Sequence, residues 1–398
     1  MNFYANAADF SDTFFVAKYI NFAYNAKCKI FKIHVALKLE MIFLEIRFEE
    51  TKTLKAKPDV SKIGFGTHFT DYMFEMDYTP AEGWHDPRIV PFRDITISPA
   101  NTTLHYGQAI FDGLKAYKHG DKPVIFRASD HMRRVNVSAK ILDIPEVPFD
   151  VALAGLKKLI SIEKDWIPTG KGQSLYIRPF IFANDNYLGV NVSKRYKFLI
   201  ILSPVAAYYA HGFAPVKIMV ESEYVRAVRG GLGAAKTPAN YAASLHAGLV
   251  AHEKNYDQVL WLDGVERKYI EEVGSMNILF KINGEVITPS PKLQTSILDG
   301  ITHRTVLEIA KDWGIPAIER KISIDEVIKA YEDGTLEEVF GSGTAAVISP
   351  VGVLEYKGKE YVINGGKIGE FTQKMYDYIE GIHMGEVEDK FGYIEFAE

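Results

Sequence analysis

Residues 230–241 read Gly230-Gly231-Leu232-Gly233-Ala234-Ala235-Lys236-Thr237-Pro238-Ala239-Asn240-Tyr241, a lysine set among small, uncharged neighbours. This is not a standard nucleotide loop. Ala235 rather than glycine precedes the lysine, which breaks the P-loop pattern, and Lys236 stands where a dinucleotide fingerprint needs its third glycine. A lysine desolvated in such a setting has its pKa lowered, and the neutral amine can form a Schiff base with a carbonyl. The plainer alternative, a solvated loop lysine, is commoner, so the stretch needs support from elsewhere in the chain.

Two further glycine turns supply it. Leu298-Asp299-Gly300-Ile301-Thr302-His303-Arg304 reads as a turn and a helix start, with Thr302 expected as N-cap and Val306, Leu307 and Ala310 continuing one helix face. Free N–H groups at a helix start form an anion site. Gly341-Ser342-Gly343-Thr344-Ala345-Ala346 reads as a second concavity of backbone N–H groups with a hydroxyl donor. Taken alone, each is more often an ordinary tight turn. Glu271-Glu272-Val273-Gly274 then places a carboxylate before a glycine turn. Pyridoxal phosphate needs a lysine for its aldehyde, N–H donors for its phosphate and an acid facing its pyridine nitrogen. These segments together contain that set.

Composition narrows the class. The chain has 398 residues, 47% hydrophobic and 24% charged, which suggests two or three domains. A net charge of -5 lacks the basic footprint of a nucleic-acid or anionic-membrane binder. The single cysteine, Cys28, leaves no intrachain disulfide framework and no cysteine-rich metal site. No apolar run approaches the roughly 18 residues of a membrane span. A cytoplasmic globular protein with small-molecule substrates, binding neither nucleic acid nor membrane nor metal, is expected.

Residues 14–39 carry five lysines and no acid. They lack the arginines of a transit peptide and the apolar core of a signal peptide. Residues 1–60 are therefore read as an extension upstream of the catalytic unit, with Met41 a natural alternative start and residues 52–58 a polar linker. Strands are expected at 175–182, 198–203, 216–220, 258–262 and 276–282, and Asn283-Gly284 marks a hairpin. Helices are expected from Asp150 as N-cap, and at 241–254, 303–313, 324–331 and 368–382. The domain division is 61–205, a linker at 206–216, and 217–398.

The ordered motifs resemble the branched-chain amino-acid aminotransferases, pyridoxal-phosphate enzymes of fold type IV. The likeness runs from Gly64 to the C-terminus. It includes Phe65-Gly66-Thr67, Leu104-His105-Tyr106-Gly107, Phe111-Asp112-Gly113-Leu114-Lys115-Ala116, Leu175-Tyr176-Ile177-Arg178-Pro179 and Tyr224-Val225-Arg226-Ala227. It continues through Asn240-Tyr241, Glu272-Val273-Gly274-Ser275-Met276-Asn277 and the two later glycine turns. The resemblance implies an α+β fold of two domains, a smaller N-terminal α/β domain and a larger C-terminal one, with pyridoxal 5′-phosphate between them. It also implies a homodimer.

Carried over residue by residue, Lys236 resembles the Schiff-base lysine that also moves the Cα proton. Glu272 resembles the acid facing the pyridine nitrogen, and Glu271 beside it is expected on a solvated face. Arg134 resembles the phosphate-binding arginine, with Arg133 pointing elsewhere. Ile301, Thr302 and Thr344 resemble the rest of the phosphate cup, and Tyr241 the partner of the phenolic oxygen. Tyr106, Ser275, Thr344 and Ala345 resemble the substrate carboxylate side. Phe65, Phe111, Tyr176 and Tyr208 resemble an aromatic box, although as residues alone they read as core. Arg178 resembles the group that accommodates the γ-carboxylate of glutamate. The implied reaction is ping-pong transamination of leucine, isoleucine and valine with 2-oxoglutarate. Ala346 and Ser349 stand where vertebrate relatives carry a Cys-x-x-Cys pair, so no thiol switch is expected. Alternatives are a D-amino-acid aminotransferase or aminodeoxychorismate lyase of the same fold, or a non-catalytic binding protein.

Overall fold

Two long runs rich in Ile, Phe, Leu and Tyr, β7 (Ser174–Ala183) and β8 (Tyr196–Val205), pair antiparallel along their whole length. Their side chains are buried on both faces, as expected for central strands. Around them the computed structural model, which describes residues 45–59, 63–206 and 213–397, builds a mixed sheet. Its other members are β1 (Arg47–Phe48), β2 (Tyr72–Thr79), β3 (Gly83–Pro91), β4 (Ala109–Phe111), β5 (Leu114–His119) and β6 (Lys122–Phe126). The spatial order is β1-β3-β2-β8-β7-β5-β6, with β4 also pairing β7.

A second sheet takes β9 (Val216–Val220), β10 (Gln258–Leu262), β11 (Ile270–Val273), β12 (Met276–Ile282), β13 (Glu285–Thr288), β14 (Ala317–Glu319), β15 (Leu336–Gly343), β16 (Val347–Tyr356) and β17 (Lys359–Val362). Pairing of β11 with β12 closes six of these strands, β11-β10-β9-β16-β15-β12, into a barrel. Its interior is apolar, with Ile218, Leu260, Ile270, Ile278 and Phe280 buried together. The last strand, β18 (Ile394–Phe396), returns to the first sheet and pairs β6.

Helices α1 (Thr102–Tyr106), α2 (Ala128–Ile141) and α3 (Phe149–Ile162) belong to the first half. Helices α4 (Pro238–Glu253), α5 (Ile301–Asp312), α6 (Ile324–Glu332) and α7 (Glu370–Met384) belong to the second. One apolar cluster joins the halves. It packs Tyr117, Val124 and Phe126 of the first sheet against Val306, Phe340 and Ile379 of the second half. No helix among the described residues is long and apolar enough to cross a membrane.

The elements fall close to the expected ones, and the strands 216–220, 258–262 and 276–282 coincide with them. Asn283 and Gly284 take φ of 49° and 76°, as a type I′ hairpin turn requires. Most other ends shift by one or two residues, and three differences concern helix starts. Gly300, not Thr302, is the N-cap of α5, so Thr302 lies inside the helix. Asp150 lies in the first turn of α3, after Pro148. Helix α4 begins three residues earlier than expected, because Pro238 at N1 gives up no intrahelical bond. Residues 45–59, read as extension and linker, run along the first sheet: β1 pairs β3, and Lys55 donates to the Thr70 carbonyl at 2.7 Å. Met41, the lysine-bearing segment 14–39, linker positions 207–212 and Tyr208 lie outside the described residues.

Candidate active site

Lys236 sits on the segment between β9 and α4, and residues of the first half of the fold clamp its backbone. Its N–H donates to Ser138 Oγ at 3.0 Å, and its carbonyl accepts from the N–H of Phe111 at 3.0 Å. Thr237 Oγ1 donates to the Ala109 carbonyl at 2.8 Å. Fixed in this way, the side chain enters a cavity of about 190 Å³ between the two halves, where Nζ donates to the Tyr241 hydroxyl at 2.7 Å. Tyr241 lies on the first turn of α4, so the lysine and its partner are held by one helix start. The Phe111 and Tyr241 rings lie 5.2 and 5.3 Å from the ammonium.

Glu272 lines the same cavity from β11. Its Oε1 accepts from the Leu298 N–H at 2.8 Å and pairs with Arg226 Nη2 at 3.3 Å. Burial raises its proton affinity, while the charges of Arg226 and Lys236 and the Leu298 N–H oppose that rise. Ile301 and Thr302 line another wall, at the start of α5. Gly300 supplies no capping side chain, which leaves the first-turn N–H groups to a ligand. Arg134 stands beside them, with Nη1 3.3 Å from the Asp299 carbonyl. Its Nε and Nη2 are held by the two oxygens of Asp112 at 2.8 and 2.7 Å. Burial opposes ionisation of Asp112, but Arg134 and His131 outweigh it and hold the carboxyl well below its usual range.

The remaining wall is aromatic. Phe65 meets Tyr176 edge-on at 5.0 Å, and the Arg178 guanidinium lies over Phe111 and Tyr176 at 4.8 and 5.2 Å. Arg178 Nη2 donates to the Tyr176 hydroxyl at 3.0 Å, while Nε is buried without a partner among the described residues. Gly113 makes room for this tyrosine, since a Cβ there would lie 2.0 Å from its hydroxyl oxygen. Ser275, Thr344 and Ala345 complete the lining.

Thirteen residues singled out in the sequence therefore line one cavity: Phe65, Phe111, Arg134, Tyr176, Arg178, Lys236, Tyr241, Glu272, Ser275, Ile301, Thr302, Thr344 and Ala345. Tyr106 does not line this chain's own cavity. Gly107, at φ 64°, ends α1 and turns the chain, and Tyr106 is exposed with its hydroxyl donating to the Leu188 carbonyl. Glu271 is a correction, because it is 3% exposed rather than on a solvated face. Strand alternation sends it to the opposite side of β11 from Glu272, and that side is covered too. Arg133 points away and is largely exposed. The sequence reading assigned no role to Asp112, Arg226 or Lys115. A charged residue inside an apolar or glycine-flanked run is the signal that would have marked each one.

The residues fit pyridoxal phosphate. Lysine, acid and a helix start with free donors share one cavity, and the buried Ser342 hydroxyl on its wall has no partner among the described residues.

Comparison with known proteins agrees with this geometry. Residues 109–353 match the class IV amino-transferase family. The chain is 55% identical over 350 residues to a probable branched-chain-amino-acid aminotransferase of Staphylococcus epidermidis, covering 88% of this chain and 97% of that one. It is 56% identical over 349 residues to branched-chain-amino-acid aminotransferase 2 of Bacillus subtilis, covering 87% and 96%. Among solved structures, the Escherichia coli branched-chain amino acid aminotransferase superposes with a TM-score of 0.69 at 30% identity, covering 82% of this chain and 99% of that one.

Proposed function

Because the chain belongs to the branched-chain-amino-acid aminotransferases of the class IV amino-transferase family, we propose how its own residues carry out that transamination. The enzyme exchanges the amino group of leucine, isoleucine or valine with 2-oxoglutarate, giving the 2-oxo acid and glutamate. When bound, pyridoxal 5′-phosphate supplies the carbonyl and the electron sink.

Lys236 Nζ is the group that holds the cofactor's carbonyl end and moves the proton at the substrate Cα. The observation that carries this reading is its bond to Tyr241 in a cavity walled by Glu272 and the start of α5. Tyr241 orients the amine. Glu272, kept in place by Arg226 and Leu298, holds a proton on the ring nitrogen. The N–H groups of Ile301 and Thr302, with Arg134 and Thr344, bind the phosphate. Ser275, Thr344 and Ala345 face the α-carboxylate. Phe65, Phe111 and Tyr176 receive an aliphatic side chain, and Arg178 receives the γ-carboxylate of glutamate. An apolar pocket separates leucine from valine weakly, since one methylene contributes about 1–3 kcal/mol.

We also propose a cytoplasmic homodimer, with domains at 61–205 and 217–398. The division is supported by the strands, as those up to Val205 pair in one sheet and those from Val216 to Val362 in the other. Association is supported by exposed apolar side chains around Tyr106, including Leu104, Leu188, Val190 and Val192.

The test is leucine-dependent glutamate formation from 2-oxoglutarate, with the absorbance spectrum recorded before and after L-leucine is added. Bleaching of the cofactor band by L-leucine is expected. Turnover of D-alanine without turnover of L-leucine would overturn the substrate assignment, and a protein without a cofactor band would favour a non-catalytic role.

A further inference from the structure

Glu271 and Glu272 are neighbours on β11, yet they face different cavities. Glu272 lines the cofactor cavity. Glu271 lines a separate one of about 110 Å³ on the other side of the strand. The two carboxyls are linked around the strand. Ser296 Oγ donates to Glu271 Oε1, and the Ser296 carbonyl accepts from Arg226 Nη2. That same Nη2 pairs with Glu272. Two residues beyond Ser296, the Leu298 N–H donates to Glu272. Three more bring the chain to Ile301, where α5 begins. Ser296 is also the backbone against which Gly233 packs, three residues before Lys236. A Cβ at Gly233 would lie 2.1 Å from the Ser296 oxygen. Ser296 is thus the point where the lysine segment, the acid and the phosphate-side helix meet, and Glu271 is what grips its side chain.

We propose that Glu271 is a positioning residue for the reaction, acting through Ser296 and Arg226 to set how firmly Glu272 and the Leu298 backbone are held at the cofactor, according to whether its own carboxyl carries a proton. The inference rests on the reading of Glu272 as the acid facing the ring nitrogen.

The physical case is the charge balance of the cluster. Arg226 pairs directly with Glu272 and acts on Glu271 through its charge. With Glu271 neutral, the guanidinium is matched by Glu272 alone. Burial pushes Glu271 up to about 7, opposed by its bond to Ser296 and the charge of Arg226, and aided by the charges of Glu272 and Asp263. The other charged or titratable groups around its cavity are Arg229 from the segment after β9, Glu266 and Tyr269 from the β10–β11 connection, and Lys321 from the segment before α6. Two buried atoms in this cluster have no partner among the described residues, Glu271 Oε2 and Arg226 Nε. An ionised Glu271 therefore competes for the charge of Arg226, and the share it takes is lost to Glu272. The two sites titrate as a coupled set.

The test is titration of the full chain, stripped of cofactor, with pyridoxal 5′-phosphate between pH 6 and 8.5, comparing the parent with Glu271→Gln, Glu271→Ala and Glu272→Gln. Circular dichroism confirms the fold. Glu271→Ala is expected to bind several-fold more weakly throughout. Glu271→Gln, which keeps a partner for Ser296 but cannot ionise, is expected to match the parent at pH 6. The parent's dissociation constant should then rise several-fold relative to Glu271→Gln by pH 8.5. The proposal is overturned if Glu271→Ala binds like the parent, if Glu271→Gln fails to restore affinity at pH 6, or if parent and Glu271→Gln run parallel across the range. Glu272→Gln separates the two readings. If it binds like the parent, the assignment of Glu272 fails and this proposal fails with it. If it loses affinity while the Glu271 variants do not, only the present proposal fails.

Discussion

The ammonium of Lys115, on β5, donates to the carbonyl oxygen of Ala345 at 2.8 Å, across 230 residues of sequence and from one half of the fold to the other. Ala345 belongs to the turn between β15 and β16 whose N–H groups are assigned to the substrate carboxylate. Lys115 therefore fixes the orientation of a peptide that lines the cavity, without lining it itself. Lys115→Met should raise KM for amino acid and 2-oxo acid alike by about 10- to 100-fold, the worth of a hydrogen bond to a charged group. Burial lowers the Lys115 pKa to about 8, with Glu380 opposing. A folded value below the ordinary 10.5 means that the stability tied to the neutral amine is present above 10.5 and lost as pH falls through about 8. The difference in unfolding free energy between parent and Lys115→Met should grow over that window as pH rises, which denaturant titration at several pH values will measure.

Arg178 is stacked against two rings on the wall of the cavity that Lys236 enters, which puts its guanidinium within reach of a γ-carboxylate bound there. Arg178→Leu should raise KM for 2-oxoglutarate about 10- to 100-fold while shifting KM for leucine by about threefold or less. Half-reactions followed separately by absorbance will distinguish the two. Equal losses for both substrates would mean that Arg178 supports the pocket wall rather than the charged substrate.

Asp112 grips Arg134 with both oxygens in a fully buried setting. Asp112→Asn leaves a buried guanidinium uncompensated and should cost about 3–5 kcal/mol of stability, with a parallel loss of cofactor affinity. The carboxyl is held below its ordinary 3.8 in the folded chain. Its contribution is therefore present above that value and lost as pH falls towards the folded one. The parent should keep its advantage over Asp112→Asn down to about pH 4 and lose it only in stronger acid, as urea unfolding will show.

Removing the amine at Lys236 removes both the attachment point and the base. Lys236→Ala should lose more activity than the roughly 10²–10⁴-fold typical of a general acid–base group alone. Tyr241→Phe keeps the amine but frees it from its 2.7 Å partner, and should lower kcat about tenfold with KM little changed. Rapid turnover by Lys236→Ala would overturn the whole site.

Much of this site was legible in the chain because it is built at turns. Glycine, small residues and a stranded lysine leave local signatures, and Lys236, Gly300 and the 344–346 turn at the end of β15 are of that kind. The barrel strands were legible for the same reason, since β9, β10 and β12 are short apolar runs between punctuating residues. What was not legible is partnership across the fold. Asp112 and Arg134 meet between a strand end and a helix, 22 residues apart, and Lys115 meets Ala345 across the two sheets. No local period encodes such pairs. Glu271 was misjudged because adjacency on a strand says only that it faces away from Glu272, not whether the far side is wet. Tyr106 stays outside this chain's own cavity because the helix end that carries it points elsewhere, a direction that motif order does not encode.

The return of β18 to the first sheet has a consequence for how the chain is made. Residues 394–396 supply the neighbour of β6, and the Glu395 carboxylate ties down Ser129 at the start of α2 through its N–H and hydroxyl. During synthesis at about 5–20 residues per second, β6 waits roughly 15–50 s for that neighbour. Through this interval the nascent chain exposes an apolar strand edge of the kind that invites mispairing. Ribosome-bound chains ending before residue 394 should therefore be chaperone clients, and release from chaperone should coincide with emergence of the final strand.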